Sequence, residues 1–462
     1  MDILKRRCNP LTTILLIAVL LRLALPLAAW LTTRDPAAFT TADSSTYLEP
    51  ARSLLIQGTF AAGGQPDIVR TPGYPLFLAL GLALGHAWLV TIALQILLSC
   101  LSVYLTYKIA ESLFSNPRVS LAASLLYAIE PLSVLYASKL MTESLFTTLV
   151  LSAIFMVLQY LNDGRFRHLL IAALATSVAA YTRPVGYYLF IVLAAVVIFR
   201  PPLRPASALR GLALAGLCLA LLLPWSLRNQ KRANYPGFSA ISDVNLYFFH
   251  LPAVLAHRQG CTYLQLKLSR GMVDLESFFQ HHPQARTWDQ GQVYRYLHQQ
   301  ALQGILSDIP YFLYLHLKGM VLILVGPGTG EFLSLFRAGG LAPPDLAYSL
   351  GLTAPAGQVM GTLLKHLPYL GLSLLLTTFP FFLMILTLAY RRNWKHNSLQ
   401  ILLLLATILY FLFLSGGMTA NSRFRHPIMP LLCVLAGPGL AALFGSEDKS
   451  PGWTSSRPAG DD

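Results

Sequence analysis

The chain has 462 residues, 55% of them hydrophobic and 12% charged, with a mean hydropathy of +0.56 and a formal net charge of +14 at pH 7. That balance excludes an ordinary soluble domain, and repeated runs of about 20 apolar residues, each able to cross a hydrocarbon layer of about 30 Å, select α-helices over a barrel of short alternating strands. The cations fall in short clusters between apolar runs, which speaks for membrane topology and anionic lipid and against a nucleic-acid partner.

In chain order, Lys5-Arg6-Arg7 precede the run LTTILLIAVLLRLALPLAAWL. A signal peptide would end near Ala28-Ala29, but the run is longer than a signal h-region and contains Arg22, so an uncleaved first span near 11–31 is expected. Further spans are expected near 76–107, 118–138, 142–160, 168–182, 186–199, 208–227, 308–325, 367–390, 399–415 and 427–444. Lys5-Arg6-Arg7, Lys108 with Arg118, Arg165 with Arg167, Arg200 with Arg204 and Arg210, and Arg391-Arg392 with Lys395 belong on the cytoplasmic side. The last cluster reaches that side only if another crossing lies between 308 and 366, for which LAYSLGLTAPAGQVMGTLL at 346–364 is the candidate. The expectation is an all-α polytopic bundle of about 11–13 transmembrane helices with short helices in its outer loops.

Four regions follow: 1–227, a transmembrane module with a first outer loop at 32–75; 228–307, a small outer helical subdomain; 308–444, the C-terminal spans; and 445–462, a polar cytoplasmic tail with the composition of a disordered segment. Of the five cysteines, Cys8 lies beside the N-terminus, Cys100, Cys218 and Cys433 lie in apolar runs and Cys261 lies in the outer subdomain, a spacing that implies no disulfide framework. His250, His257, His281, His282 and His298 have no tight ligand spacing and read as polar surface. No Walker loop or dinucleotide fingerprint is present, so no cofactor is expected, with a divalent cation left possible.

Placed on this topology, Asp43, Arg70, Lys139, Glu143, Arg183, Arg423 and Arg425 all fall at the outer membrane boundary. Cations in short outer turns oppose the positive-inside tendency, and a bound phosphate would supply the reason, since arginine offers a planar fork of donors. Asp43 opens a surface helix whose face carries Tyr47, Ala51, Leu54 and Leu55 and which Gly58 ends; the residue reads as a helix N-cap, as a general base, or as both. Arg70, before TPGYP, is a headgroup anchor or a phosphate ligand. Glu143 starts the fourth span, where a carboxylate suits the helix dipole, or orients an acceptor or cation across a cleft from Asp43. Arg183, in YTRPVGYY, points into the bundle or along the headgroups. Arg423 and Arg425 alternate before Pro427, so an extended chain turns one toward a site and the other toward lipid. Arg22 and Glu130 lie at matching depths inside the membrane and are expected to form a structural ion pair.

The first outer loop with Asp43, RTPGYPLFLAL, MTESLF, the TRP turn and SRFRHPIMP together resemble the GT-C fold membrane glycosyltransferases, in the bacterial branch related to protein O-mannosyltransferases and the lipid A aminoarabinose transferase. The resemblance runs from residue 10 to about 440 and implies transfer of a hexose or pentose from a polyprenyl-phosphate donor, with inversion, to a glycan, lipid or protein acceptor. It implies a multi-pass protein of the bacterial inner membrane with its site facing the periplasm. By resemblance Asp43 is the catalytic base, Glu143 is the acidic residue at the start of span four and Arg70 lies near the donor phosphate. Lys139, Arg183, Arg423 and Arg425 extend the phosphate site. Many relatives carry Asp-Glu where this chain has Asp43-Ser44, which argues against a paired-carboxylate or metal role there. The alternatives are a lipid or oligosaccharide transporter, against which the absence of a visible repeat counts, and an O-antigen ligase or polymerase.

Overall fold

The computed structural model describes residues 9–337, 370–390 and 398–444. Cys8, the Lys5 and Arg391 clusters, the 346–364 crossing and the tail lie outside the described residues.

Helix α1, Pro10–Thr33, starts where Asn9 Oδ1 accepts from the Leu11 amide at 3.1 Å and where Pro10 needs no amide partner. Helix α2, Ala42–Gln57, starts with Ser44 Oγ accepting from the Thr41 amide at 2.8 Å and ends at Gly58, whose φ of 66° favours glycine. Its buried face is Ser44, Tyr47 and Ala51. Leu55, expected on that face, is 47% exposed. A two-stranded turn, Ala61–Ala62 (β1) with Gln65–Pro66 (β2), closes the loop behind it.

The single span expected at 76–107 is two helices, α3 (Gly73–Ala83) and α4 (Ala87–Phe114). The chain reverses at Gly85, which has a φ of 74°. A Cβ on Gly81 would lie 2.8 Å from the Ala87 carbonyl oxygen, so the two helices meet too closely there for any larger residue. Gly85 and His86 are a short interruption in a long apolar stretch, and hydropathy registers burial and not backbone direction.

Helices α5 (Pro117–Ala128) and α6 (Pro131–Ala137) follow one another with a bend of 57° at the break. Pro131 cannot donate, and the Glu130 carboxylate caps α6 by accepting from the Leu132 and Ser133 amides. This bend overturns the expected Arg22–Glu130 ion pair. No salt bridge joins the two among the described residues, because the break gives each a nearer claim. Arg22 donates to the Ala128 carbonyl at 2.9 Å, to Ser99 Oγ at 2.7 Å and to Ser133 Oγ at 3.1 Å. Glu130 serves the amides across the break, and Ser133 hydrogen-bonds to both side chains.

Next come α7 (Glu143–Asp163), α8 (Phe166–Thr182), α9 (Leu189–Ile198) and α10 (Pro205–Ala233). The 228–307 segment holds α11 (Ile241–Asn245), a π-turn, α12 (Leu251–Gln259), α13 (Tyr263–Ser269), α14 (Leu275–His281) and α15 (Gln290–Leu306). Helix α16 (Ile309–Val325) leaves α15 at 103°, and α17 (Thr329–Ser334) follows. The described chain ends with helices Leu370–Ala389, Ser398–Ser415 and Met429–Phe444. Among the described residues seven helices are long and apolar enough to cross a membrane, nine if each bent pair is one span, and shorter apolar helices accompany them. The last helix is the most buried of them, and α1 and α10 are largely exposed, as helices facing lipid would be.

The 228–307 subdomain has its own core of Tyr247, Leu251, Leu266, Phe278 and Leu297, into which Ile68 of the first loop packs. The Ala240 amide donates to the Ile68 carbonyl at 2.8 Å and Ser239 Oγ to the Val69 carbonyl at 2.6 Å. First loop and subdomain are therefore one packed unit, and that junction ends at Arg70.

Candidate active site

Asp43 sits in the first turn of α2 but does not cap it, since Thr41 holds that position. Its carboxylate is held by two arginines instead. Arg70 Nη2 donates to Oδ1 at 2.9 Å and Arg423 Nη1 to Oδ2 at 2.8 Å. Arg423 also places its Nε 3.1 Å from Glu143 Oε1, and Arg183 Nη1 donates to that same oxygen at 2.8 Å. Five of the seven residues expected at the outer boundary thus form one network, from the first loop, the start of α7, the turn after α8 and the segment before the last helix. Three arginines against two carboxylates leave it with one net positive charge.

Exposure separates the two carboxylates. The Asp43 side chain is 32% exposed and that of Glu143 is 0% exposed. Only Asp43 is open to a substrate, while Glu143 fixes two guanidinium groups from behind. Burial pushes the Asp43 carboxyl up, but the charges and hydrogen bonds of Arg423 and Arg70 outweigh it and hold it well below the usual carboxylate range.

The surroundings set these directions. Asp67 Oδ1 accepts from the Val69 and Arg70 amides at 2.8 and 2.9 Å, fixing the turn that aims Arg70. The Arg70 guanidinium lies 4.5 Å from the Tyr47 ring centroid and donates to Tyr47 Oη at 3.1 Å. Asn421 Oδ1 accepts from the Arg423 amide at 3.0 Å. Asp67 and Asn421 were not singled out from the sequence, and Tyr47 was placed only on the face of the surface helix. Only the turn spacing around Asp67 and Asn421, each accepting from the second residue on, hinted at such roles.

Two expected phosphate ligands lie elsewhere. Lys139 is buried and donates from Nζ to the Ala38 carbonyl and to Ser334 Oγ, both at 2.8 Å. Burial lowers its amine to about 8, with Glu331 opposing. Its loop docks the start of α2: the Leu140 amide donates to the Phe39 carbonyl at 2.8 Å and Ser44 Oγ to the Leu140 carbonyl at 2.9 Å. Arg425 faces neither site nor lipid, being fully buried and donating to the carbonyls of Leu324, Gly326 and Leu376. The expectation of opposite faces assumed an extended chain, whereas Ser422–Ile428 is a 3-10 helix in which residues two apart diverge by about 240°. Among the described residues no three His, Cys, Asp or Glu side chains are grouped to hold a metal ion.

Residues 69–227 match the dolichyl-phosphate-mannose-protein mannosyltransferase family. No curated protein matches the chain in sequence. Among solved structures, the Archaeoglobus fulgidus oligosaccharyltransferase in complex with Zn and sulfate aligns at 15% identity and a TM-score of 0.50, over 94% of this chain and 51% of that one. The archaeal oligosaccharyltransferase AglB from the same organism, with an inhibitory peptide and a dolichol-phosphate, aligns at 15% identity and a TM-score of 0.50, over 92% of this chain and 49% of that one. ArnT from Cupriavidus metallidurans bound to undecaprenyl phosphate aligns at 15% identity and a TM-score of 0.48, over 91% of this chain and 59% of that one. The chain spans about half the length of these solved proteins, and the likeness to the two oligosaccharyltransferase structures is one of fold, the GT-C fold.

Proposed function

We propose that this multi-pass membrane protein of the GT-C fold is an inverting glycosyltransferase that moves a sugar from a polyprenyl-phosphate donor to an acceptor at the outer face of the membrane, in the periplasm of a bacterium. The observation that carries the reading is the network in which Arg70 and Arg423 share Asp43 while Arg423 and Arg183 share Glu143. A sugar phosphodiester carries one negative charge, which the one net positive charge of the network balances. The leaving polyprenyl phosphate gains further charge, and fixed guanidinium groups stabilise it as that charge develops.

A carboxylate held by two arginines is a weak base, so the donor has to alter its setting before it can act. As the phosphate draws Arg70 and Arg423 toward itself, Asp43 loses part of their field and its basicity rises. Asp43 then takes the proton of the acceptor hydroxyl, whose oxygen bonds to the anomeric carbon on the face opposite the phosphate. The bond from that carbon to the phosphate oxygen breaks, and its electron pair leaves with the polyprenyl phosphate. Glu143, closed to solvent, is a positioning residue for Arg183 and Arg423 in this scheme.

The test is purified full-length chain in lipid nanodiscs, supplied with radiolabelled polyprenyl-phosphate hexoses and pentoses and with a cell-envelope extract. Label is expected to move to an acceptor with the intact chain and not with Asp43→Asn. Equal transfer by both, or none with any donor, overturns the reading.

A further inference from the structure

A cavity of about 720 Å³ lies between the outer subdomain and the membrane bundle, apart from Asp43. Its walls belong to the same two segments that carry the charged network: Pro184 and Val185 follow Arg183, and Gly416 and Thr419 precede Arg423. Tyr410 Oη donates to the Val185 carbonyl at 2.5 Å, which holds the two segments together.

We propose that this cavity binds a neutral, hydroxyl-rich sugar residue. Its size is that of a small-molecule site. Tyr187, Tyr188 and Phe238 line it with aromatic surface, and Tyr188 is 53% exposed, presenting a ring face of the kind on which the C–H face of a pyranose stacks. The charged groups on the wall are already engaged within the protein. Asp243 accepts from Tyr235 Oη at 2.8 Å and from His298 Nδ1 at 3.0 Å, and Arg295 Nη1 donates to the Asn234 carbonyl at 2.8 Å. An anionic ligand would find its cations in the neighbouring network and not here.

Two wall nitrogens want partners. His250, 7% exposed, has no hydrogen-bond partner for Nδ1 among the described residues, and neither has His316 Nε2. Burial, aided by His316, lowers the His250 imidazole to about 4, so at neutral pH its nitrogens serve as one donor and one acceptor, the pairing that a hydroxyl satisfies. Both nitrogens are closed to solvent in this structure, so a hydroxyl satisfies them only as the rings turn toward the cavity, and it does so without bringing charge. Gly417 makes room for this ring, since a Cβ there would lie 2.2 Å from His250 Cε1.

The sugar is either the donor's own or part of the acceptor, and that distinction rests on the transfer reading above. The test is saturation-transfer difference NMR on the full chain in nanodiscs free of glycosidic detergent, with methyl hexopyranosides, methyl pentopyranosides and glucose 6-phosphate as probes. At least one methyl glycoside is expected to give signal and glucose 6-phosphate none. Tyr188→Ala and Gln299→Ala, which replace two exposed residues of the cavity wall, should weaken binding about fivefold to tenfold while Asp43→Asn leaves it intact. No signal from any methyl glycoside, or equal signal from both cavity variants, overturns the proposal and leaves Asp43-dependent label transfer, measured on the same preparations, standing or falling by itself. A raised KM for the lipid donor in the cavity variants assigns the donor's sugar, and a raised KM for the acceptor assigns the acceptor's.

Discussion

Arg423 separates what a residue type implies from what its position decides. Its guanidinium lies between Asp43 and Glu143, which are a hundred residues apart in the chain, and it is the link that makes two ion pairs one network. Asp43→Asn keeps the shape but cannot take a proton, and the expected loss is about 10²–10⁴-fold in kcat, read from label transfer at saturating donor. Glu143→Ala leaves two arginines facing a buried vacancy, with an expected loss of about 3–5 kcal/mol in stability, read from thermal unfolding. Because the folded Asp43 carboxyl lies below its unfolded value of about 3.9, its stabilising contribution is complete above that value and is lost only as pH falls below it. The acid limb of the kcat/KM profile, which reports the free protein, should therefore not rise from Asp43 between about pH 5 and 8. Arg70→Gln removes one of the two opposing charges, so the Asp43 carboxyl should rise and a new acid limb should enter the profile from low pH. The outer-boundary carboxylates and arginines were legible as a set, because charges next to apolar runs are conspicuous. Lys139 and Arg425 were indistinguishable from the others in sequence, and only the direction of the side chain shows that they serve backbone carbonyls.

At the scale of elements, the network depends on where α3 and α8 meet. A Cβ on Gly73 would lie 2.7 Å from both the carbonyl carbon and the carbonyl oxygen of Tyr181, and backbone cannot move aside as a flexible side chain can. Gly73 is three residues after Arg70, and Tyr181 is two before Arg183, so this contact sets the spacing of two of the three arginines. Gly73→Ala should destabilise by about 1–3 kcal/mol and lower transfer as well. Gly58→Ala has no close neighbour, only a φ of 66°, and should cost about 1 kcal/mol with transfer preserved, a contrast that thermal unfolding and label transfer together would read. The positions of most helices were legible from apolar runs and caps. The reversal at Gly85 and the bend at Ile129–Glu130 were not, since only a polar residue or two, His86 in one case and Glu130 in the other, interrupts a long apolar stretch there.

At the scale of the whole molecule, the prediction concerns sidedness. Cys261 is the cysteine of the 228–307 subdomain, which the proposed topology puts outside, whereas Cys100, Cys218 and Cys433 lie within apolar helices. A membrane-impermeant maleimide applied to intact cells should label the chain, and Cys261→Ser should abolish that labelling; labelling that requires permeabilised cells would place the subdomain inside. The sequence by itself determined that the chain is a helical membrane protein, which faces of its helices are apolar and which boundary gathers charge, because the cost of exposing apolar surface and burying charge is local and is written residue by residue. The tertiary structure alone decided which arginines meet which carboxylates, that Glu143 is closed while Asp43 is open, and that the 184–188 and 416–419 segments enclose a cavity. Those outcomes depend on contacts between segments as far apart as Asp43 and Arg423, and no local pattern encodes which distant partner a charge will find.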